Sequence, residues 1–307
     1  MIRAIVSGAA SPAGGELVRL LLHHPDVELT VACQPAHATM ALSSVVPGFI
    51  GDTSLRIAET YGPADGDVLF LADSSEPDFD IDGPEAADMR IVDLTGILEG
   101  HEGFVTGVCE LNRKPLVRGA KRAAVPDALT LLAVTSLLPL MKGSLHEGEI
   151  VAIAEGIGPE HAVAAAGRAS QIMRYAQLGY NGRLKISTAE SGESEVRDLS
   201  GRVRFMRFMA YGIPVNADLI HVQEMYDEYF DDHNFVFTLP GRKPHPIDVV
   251  NTNKLLINLE KSPADGTLTV TAAFDPVLKG SAGAAVHCMN LLFGLHERTG
   301  LDLLALG

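Results

Sequence analysis

A glycine-rich stretch, Gly8-Ala9-Ala10-Ser11-Pro12-Ala13-Gly14-Gly15, lies between the apolar run Ile2–Ser7 and a helical period marked by Leu17, Leu20 and Leu21 that stops at Pro25. Glycine in such a turn permits tight backbone geometry and lets a pyrophosphate approach the helix N-terminus. Gly8, Ala10, Ser11, Ala13 and Gly14 are the expected contacts to a dinucleotide. The strict fingerprint has glycine where Ser11 stands, and the plain alternative is a tight strand-to-helix turn. The second strand ends in Cys33-Gln34-Pro35-Ala36-His37, with no carboxylate for a ribose 2′-hydroxyl. That favours NADP over NAD, with Ser11, Gln34 or His37 near the 2′-phosphate.

Further groups could do proton or thiol chemistry. Asp73, Asp127 and Glu155 end apparent strands, where ligands collect in open α/β sheets. Each is a candidate general acid or base, with a helix cap or solvated turn as the plain alternative. Cys33, Cys109 and Cys288 lie far apart, in neither a zinc nor a disulfide pattern. Cys288 with His287 could form a nucleophile and base. However, neighbours on a helix point about 100° apart and are not expected to share one site, which favours a packed thiol. His23-His24 reads as a solvated pair at a helix end, and His161 as part of a helix start. No metal site is expected.

These groups need elements to hold them. Strands are expected at 2–7, 27–33, 67–72 and 90–94, with a helix over 16–24: the start of a doubly wound parallel sheet. Beyond about residue 145 the pattern changes. Strands at 149–154, 183–188, 202–209, 235–239, 254–259 and 267–274, with helices near 160–177 and 216–230, suggest an α+β domain on a mixed sheet. Asp265-Gly266 is a hairpin signal, Glu224–Asp232 reads as a solvated helix face, and 284–295 as a helix.

The 307 residues suffice for two domains, and 47% hydrophobic with 21% charged residues describes a globular chain. A net charge of −15 argues against nucleic acid. No apolar run is long enough to span a membrane, and the N-terminus reads at once as a core strand, so the cytoplasm is the expected location.

A family resemblance rests on particular residues. Ser7-Gly8-Ala9 through Ala13-Gly14-Gly15-Glu16-Leu17, then Leu20–Leu22 and His24-Pro25, is similar to the opening of N-acetyl-γ-glutamyl-phosphate reductases, of the aspartate-semialdehyde dehydrogenase superfamily. Val105-Thr106-Gly107 with Glu110-Leu111-Asn112-Arg113 resembles the segment before that family's nucleophile, and Leu138-Pro139-Leu140 the helix after it. Lys279-Gly280-Ser281-Ala282-Gly283 with Ala285-Val286, Met289-Asn290-Leu291 and Phe293-Gly294-Leu295 resembles its late helix, which returns to the cofactor domain. The resemblance covers 1–140 and 275–300 well and is faint across 150–240. It implies NADP as cofactor, with Lys279, Gly280 and Gly283 near it, and a homodimer or homotetramer formed through the second domain. The fold implied is α/β: a Rossmann-type doubly wound parallel sheet at 1–145 plus 280–307, and an α+β substrate and oligomerisation domain with a mixed sheet at 146–279.

Members of this family reduce an acyl phosphate in two steps. A cysteine thiolate displaces phosphate to give a thioester, hydride from NADPH reduces it, and a histidine serves as acid and base. Counting without gaps carries the family's Asn-Pro-Gly-Cys onto Val125-Pro126-Asp127-Ala128. Its arginine after the fifth strand falls on Glu99, its Pro-His-Gly on Ser74-Ser75-Glu76, and its His-Arg-His segment on 186–196, where Ser187-Thr188-Ala189-Glu190-Ser191-Gly192 holds no histidine. The late helix carries Ala284-Ala285-Val286-His287-Cys288 in place of Gln-Ala-Val-Gln-Asn. These departures together point to an oxidoreductase with a rewritten site, acting on a small amino-acid-derived substrate, free or carrier-bound, such as a thioester, aldehyde or imine. Asp127, Glu155 and Cys288 are its candidate catalytic groups. The alternatives are a catalytically inactive cofactor-binding partner or sensor, and a non-redox reaction on the same scaffold.

Overall fold

In the computed structural model, which describes residues 1–74, 77, 79–143, 148–175, 180–190 and 195–305, the N-terminal apolar run is β1 (Ile2–Ser7), buried from Ala4 onward. Ser11 then caps α1 (Pro12–Leu22), and proline occupies its first position. The helix therefore starts four residues before the expected Glu16. Its buried face carries Leu17, Val18, Leu20 and Leu21, each of which stabilises the fold by about 2 kcal/mol through burial. β2 (Val27–Cys33), the short α2 (Leu42–Val45), β3 (Val68–Leu71), β4 (Arg90–Asp93), β5 (Val105–Thr106), α3 (Cys109–Val117) and β6 (Arg122–Ala124) follow. The strands make one all-parallel sheet in the order β2-β1-β3-β4-β6-β5. β3 is wholly buried, as a parallel strand covered on both faces must be.

Sequence reading missed β5, β6, α3 and most of α4 (Ala128–Lys142). The two strands have two and three residues, and α3 is interrupted by a non-helical Asn112 and by Pro115. α4 is buried on every side from Leu129 to Met141, so its sequence shows no amphipathic period. α4 packs on α5 (Pro159–Tyr175) and on the second sheet. The chain accordingly separates into Met1–Pro126 with Ser281–Asp302, and Asp127–Gly280 with the residues from Leu303. The first division thus falls before α4 instead of near 145.

The second unit contains β7 (Ile150–Glu155), α5, β8 (Leu184–Ala189), β9 (Met206–Ile213), α6 (Leu219–Phe230), β10 (Val236–Thr238), α7 (Pro246–Val249), β11 (Leu255–Lys261) and β12 (Leu268–Phe274). Its mixed sheet runs β10-β11-β12-β9-β7-β8. The Asp265-Gly266 signal lies in the loop joining the antiparallel β11 and β12, with Gly266 at φ 72°. α8 (Gly283–Leu292) belongs to the first unit. Among the described residues no helix is long and apolar enough to cross a membrane.

Two expectations need correction. His23 is exposed but His24 is buried, its Nε2 3.0 Å from Asn290 Oδ1. Burial lowers its pKa against the help of that bond, so the pair is not solvated. The strand expected at 202–209 begins only at Met206, because Val203 bridges Arg197 instead. Arg204 then turns inward onto Asp275, with Nη2 to Oδ2 at 2.6 Å and Nε to Oδ2 at 3.0 Å. Asp275 has no exposure and Arg204 is 7% exposed. Replacing Asp275 by alanine takes the bidentate carboxylate from that buried guanidinium and leaves it the longer 3.8 Å approach to Asp198 Oδ2. The expected loss is about 3–5 kcal/mol, read from the urea midpoint of the variant against the parent.

Candidate active site

The glycine turn hangs from β2: Gly8 and Ala9 both donate to the Cys33 carbonyl, at 3.0 and 3.1 Å. Gly8 has φ 80°, and a Cβ there would stand 2.6 Å from Asp73 Cγ. A Cβ on Gly14 would stand 2.0 Å from the Gly8 carbonyl oxygen. Both positions therefore require glycine. Ser11, in place of the fingerprint glycine, accepts from Gly14 N and donates to the Ala72 carbonyl, each at 3.0 Å. Its hydroxyl caps α1 and ties the turn to the end of β3. Gln34 accepts from Ala10 N at 3.3 Å and donates to Asp73 Oδ2 at 3.1 Å. Gly8, Ala10, Ser11, Gly14 and Gln34 are thus tied into one feature, with Ala13 in the first turn of α1.

This feature fits a dinucleotide in shape. Close backbone approach is provided at Gly8 and Gly14, and an eleven-residue helix starts there. In charge it carries a carboxylate, Asp73, against Gly8. The sequence showed Asp73 only as an acid at a strand end; its link to Gln34, 39 residues away, had no sequence signal.

Asp127 caps α4. It accepts from Thr130 N at 3.0 Å, Thr130 Oγ1 at 2.6 Å and Arg168 Nη1 at 3.3 Å. Ala128 is the first helical residue and is half-buried. A Cβ on Gly280 would lie 2.8 Å from Ala128 Cβ, so residues 128 and 280 are neighbours in the second unit. Lys279, in the π-turn Leu278–Ala282, is 1% exposed, with its ammonium 5.5 Å from the centre of the Phe235 ring. Gly283 opens α8 in the first unit and is buried. Glu155, at the end of β7, pairs with Arg207 at 2.9 Å.

Cys288 is fully buried in α8, with Sγ 3.4 Å from Cys109 Sγ and 3.7 Å from the Gly107 carbonyl. Burial, reinforced by Cys288, pushes the Cys109 thiol pKa well up. Cys109 also faces His287. The two neighbours on α8 therefore do share a cluster, contrary to the helical-angle expectation, because the start of α3 lies against both. His287 Nε2 is 2.7 Å from Glu297 Oε2, and Arg113 Nη2 is 2.6 Å from Glu297 Oε1. Burial works to raise the Glu297 pKa, but His287 and Arg113 outweigh it and hold the carboxyl below its usual range. The Cys109–Cys288 approach spans 179 residues, beyond the reach of any local pattern.

Cys33 is buried and donates to the Glu59 carbonyl at 3.5 Å. His161 is exposed and lies 3.0 Å from Glu160 Oε1. Glu99 is half-buried in the turn after β4. Ser75, Glu76 and Ser191–Ser194, on which parts of the expected rewriting fall, lie outside the described residues. Among the described residues no group of three or more His, Cys, Asp or Glu could hold a metal ion.

No family model matches the chain. In overall structure it is similar to aspartate semialdehyde dehydrogenase II of Vibrio cholerae complexed with ASA: TM-score 0.71, 12% identity, 96% of this chain and 98% of that one. It is also similar to the Candida albicans aspartate semialdehyde dehydrogenase solved with NADP: TM-score 0.66, 11% identity, 95% and 98%. At such identities these likenesses establish the α/β fold. Sequence similarity is much higher to curated proteins named N-acetyl-gamma-glutamyl-phosphate reductase. The one from Bacteroides thetaiotaomicron is 31% identical over 99% of this chain and 98% of its own length. The one from Parabacteroides distasonis is 33% identical over the same shares. A likeness of that degree along nearly the whole length of both partners makes this chain a member of the N-acetyl-γ-glutamyl-phosphate reductase family of oxidoreductases.

Proposed function

We propose that the chain is a nicotinamide-dependent reductase of an amino-acid-derived substrate that is not an acyl phosphate. The observation that carries this reading is the alanine at the first position of α4, onto which the gapless count places the family's nucleophile. A methyl side chain cannot displace phosphate, so an acyl phosphate could not be converted to a bound thioester. A substrate arriving as a carrier-bound thioester, an aldehyde or an imine needs no such step. It needs orientation, a proton and the hydride that the nicotinamide supplies when bound.

Gly8, Ala10, Ser11, Ala13, Gly14 and Gln34 would hold the cofactor through the turn, and family likeness adds Gly283 of the same unit. The family points to NADP, and the Candida albicans neighbour holds it. Of the three acid–base candidates, Asp127 is best suited. It is half-buried next to Ala128, with Arg168 Nη1 3.3 Å from its Oδ2. Glu155 is held by Arg207 and Cys288 is enclosed in the core, which makes them poorer proton donors to a bound substrate. The first unit would serve the cofactor and the second the substrate. Assembly into a homodimer or homotetramer through the second unit is supported by Val151 and Tyr211, register partners on β7 and β9 that are 37% and 39% exposed. Side chains of that size on a sheet face favour a covering partner.

Three measurements follow. Titration calorimetry should detect binding of NADPH or NADH; absence of both would sink the reductase reading, and binding without turnover of aldehydes, imines or carrier thioesters would favour a sensor. Ala128→Cys should give a thiol that alkylates in the folded protein yet leaves acyl-phosphate reduction undetected; recovery of that activity would show that the old site is intact. Light scattering should return a mass two or four times that of the chain, and Tyr211→Asp should shift it towards the monomer.

A further inference from the structure

We infer that Asp73 sets the choice between the two nicotinamide cofactors, so that the turn takes NADH in preference to NADPH; this rests on the dinucleotide reading above. In doubly wound sheets a carboxylate at the end of the second strand accepts from the ribose hydroxyls of NAD and repels the 2′-phosphate of NADP. The end of β2 lacks one, which by itself favours NADP. The fold supplies one from another strand. Asp73 follows β3, and Gln34, just past β2, donates its amide nitrogen to Asp73 Oδ2 at 3.1 Å. A carboxylate therefore stands one hydrogen bond from the place where the ribose is expected.

The placement is fixed from three sides. Ala10 N holds the Gln34 carbonyl oxygen at 3.3 Å, so the Gln34 side chain spans the turn from one strand end to the other. Gly8 offers no side chain to keep Asp73 away; a Cβ there would stand 2.6 Å from Asp73 Cγ. Ser11 ties the turn to Ala72, the residue before Asp73. Gln34 spends one of its two amide hydrogens on Asp73, so any phosphate it met with the other would stand close to that carboxylate. NADPH brings a phosphate monoester with about −1.5 to −2 charge, which this carboxylate opposes over distances up to a Debye length. The following stretch offers two groups that could answer it. His37 ends a 3-10 turn, Pro35–His37, and Arg56 directs its guanidinium to the Thr39 carbonyl.

The test is calorimetry of the full chain with NADH and NADPH, in the parent protein and in Asp73→Asn, which removes the charge but keeps an oxygen for Gln34. The parent should bind NADH at least about tenfold more tightly, and the variant should lose most of that gap by gaining affinity for NADPH. The parent's gap should also narrow as salt rises from about 50 to about 500 mM, a measurement that does not depend on the variant folding. A parent that binds NADPH as tightly as NADH or more so, or a variant with an unchanged ratio, overturns the inference while leaving the dinucleotide reading standing. A parent that binds neither nucleotide overturns both.

Discussion

A carboxylate removed from water must find its charge answered nearby, and Asp275 shows how far that requirement reaches. Besides Arg204, it accepts from Asn251 N at 2.9 Å and Val277 N at 3.0 Å. Asn251 holds a positive φ of 63°, a strained conformation for a residue with a side chain, and its bond to Asp275 compensates. One buried charge thus decides where β9 may begin, how the segment after α7 turns, and how the chain leaves β12 for the π-turn that carries Lys279 and Gly280. The main-chain course beside Ala128 depends on an ion pair in which neither partner was a candidate for chemistry.

The sequence was most informative where physics is local. β1, α1 and β2 could be read because a buried parallel strand is a continuous apolar run, a serine caps, and proline and glycine punctuate. Legibility failed where the deciding partner is remote. Nothing near residue 204 announces Asp275, and nothing near Asp73 announces Gln34. α4 failed for the opposite reason: it is so completely enclosed that the polar face by which a helix is usually recognised is missing. Of the candidate site, residues 8–14 were legible as a group because they are contiguous, whereas Arg168 beside Asp127 and Cys109 beside Cys288 come from elements far away in the chain.

The same contrast separates the two kinds of buried polar group. His287, Glu297 and Arg113 form an ion-paired network beside α8, and its geometry resembles the base-and-orienter arrangements of nucleophilic enzymes. The thiol it meets is sealed, and burial keeps it protonated, so likeness of composition does not amount to likeness of role. Asp73 is the converse. It is bonded to Gln34 and stands at the mouth of a turn whose shape suits an anion.

α4 has one further consequence. A helix enclosed from Leu129 to Met141 draws its stability from its length, and almost none of that stability depends on the methyl group of Ala128 at its half-open first turn. Gain or loss of a nucleophile at that position is therefore nearly neutral for folding. The side chain at the head of such a helix is free to vary for chemical reasons, because the fold asks little of it.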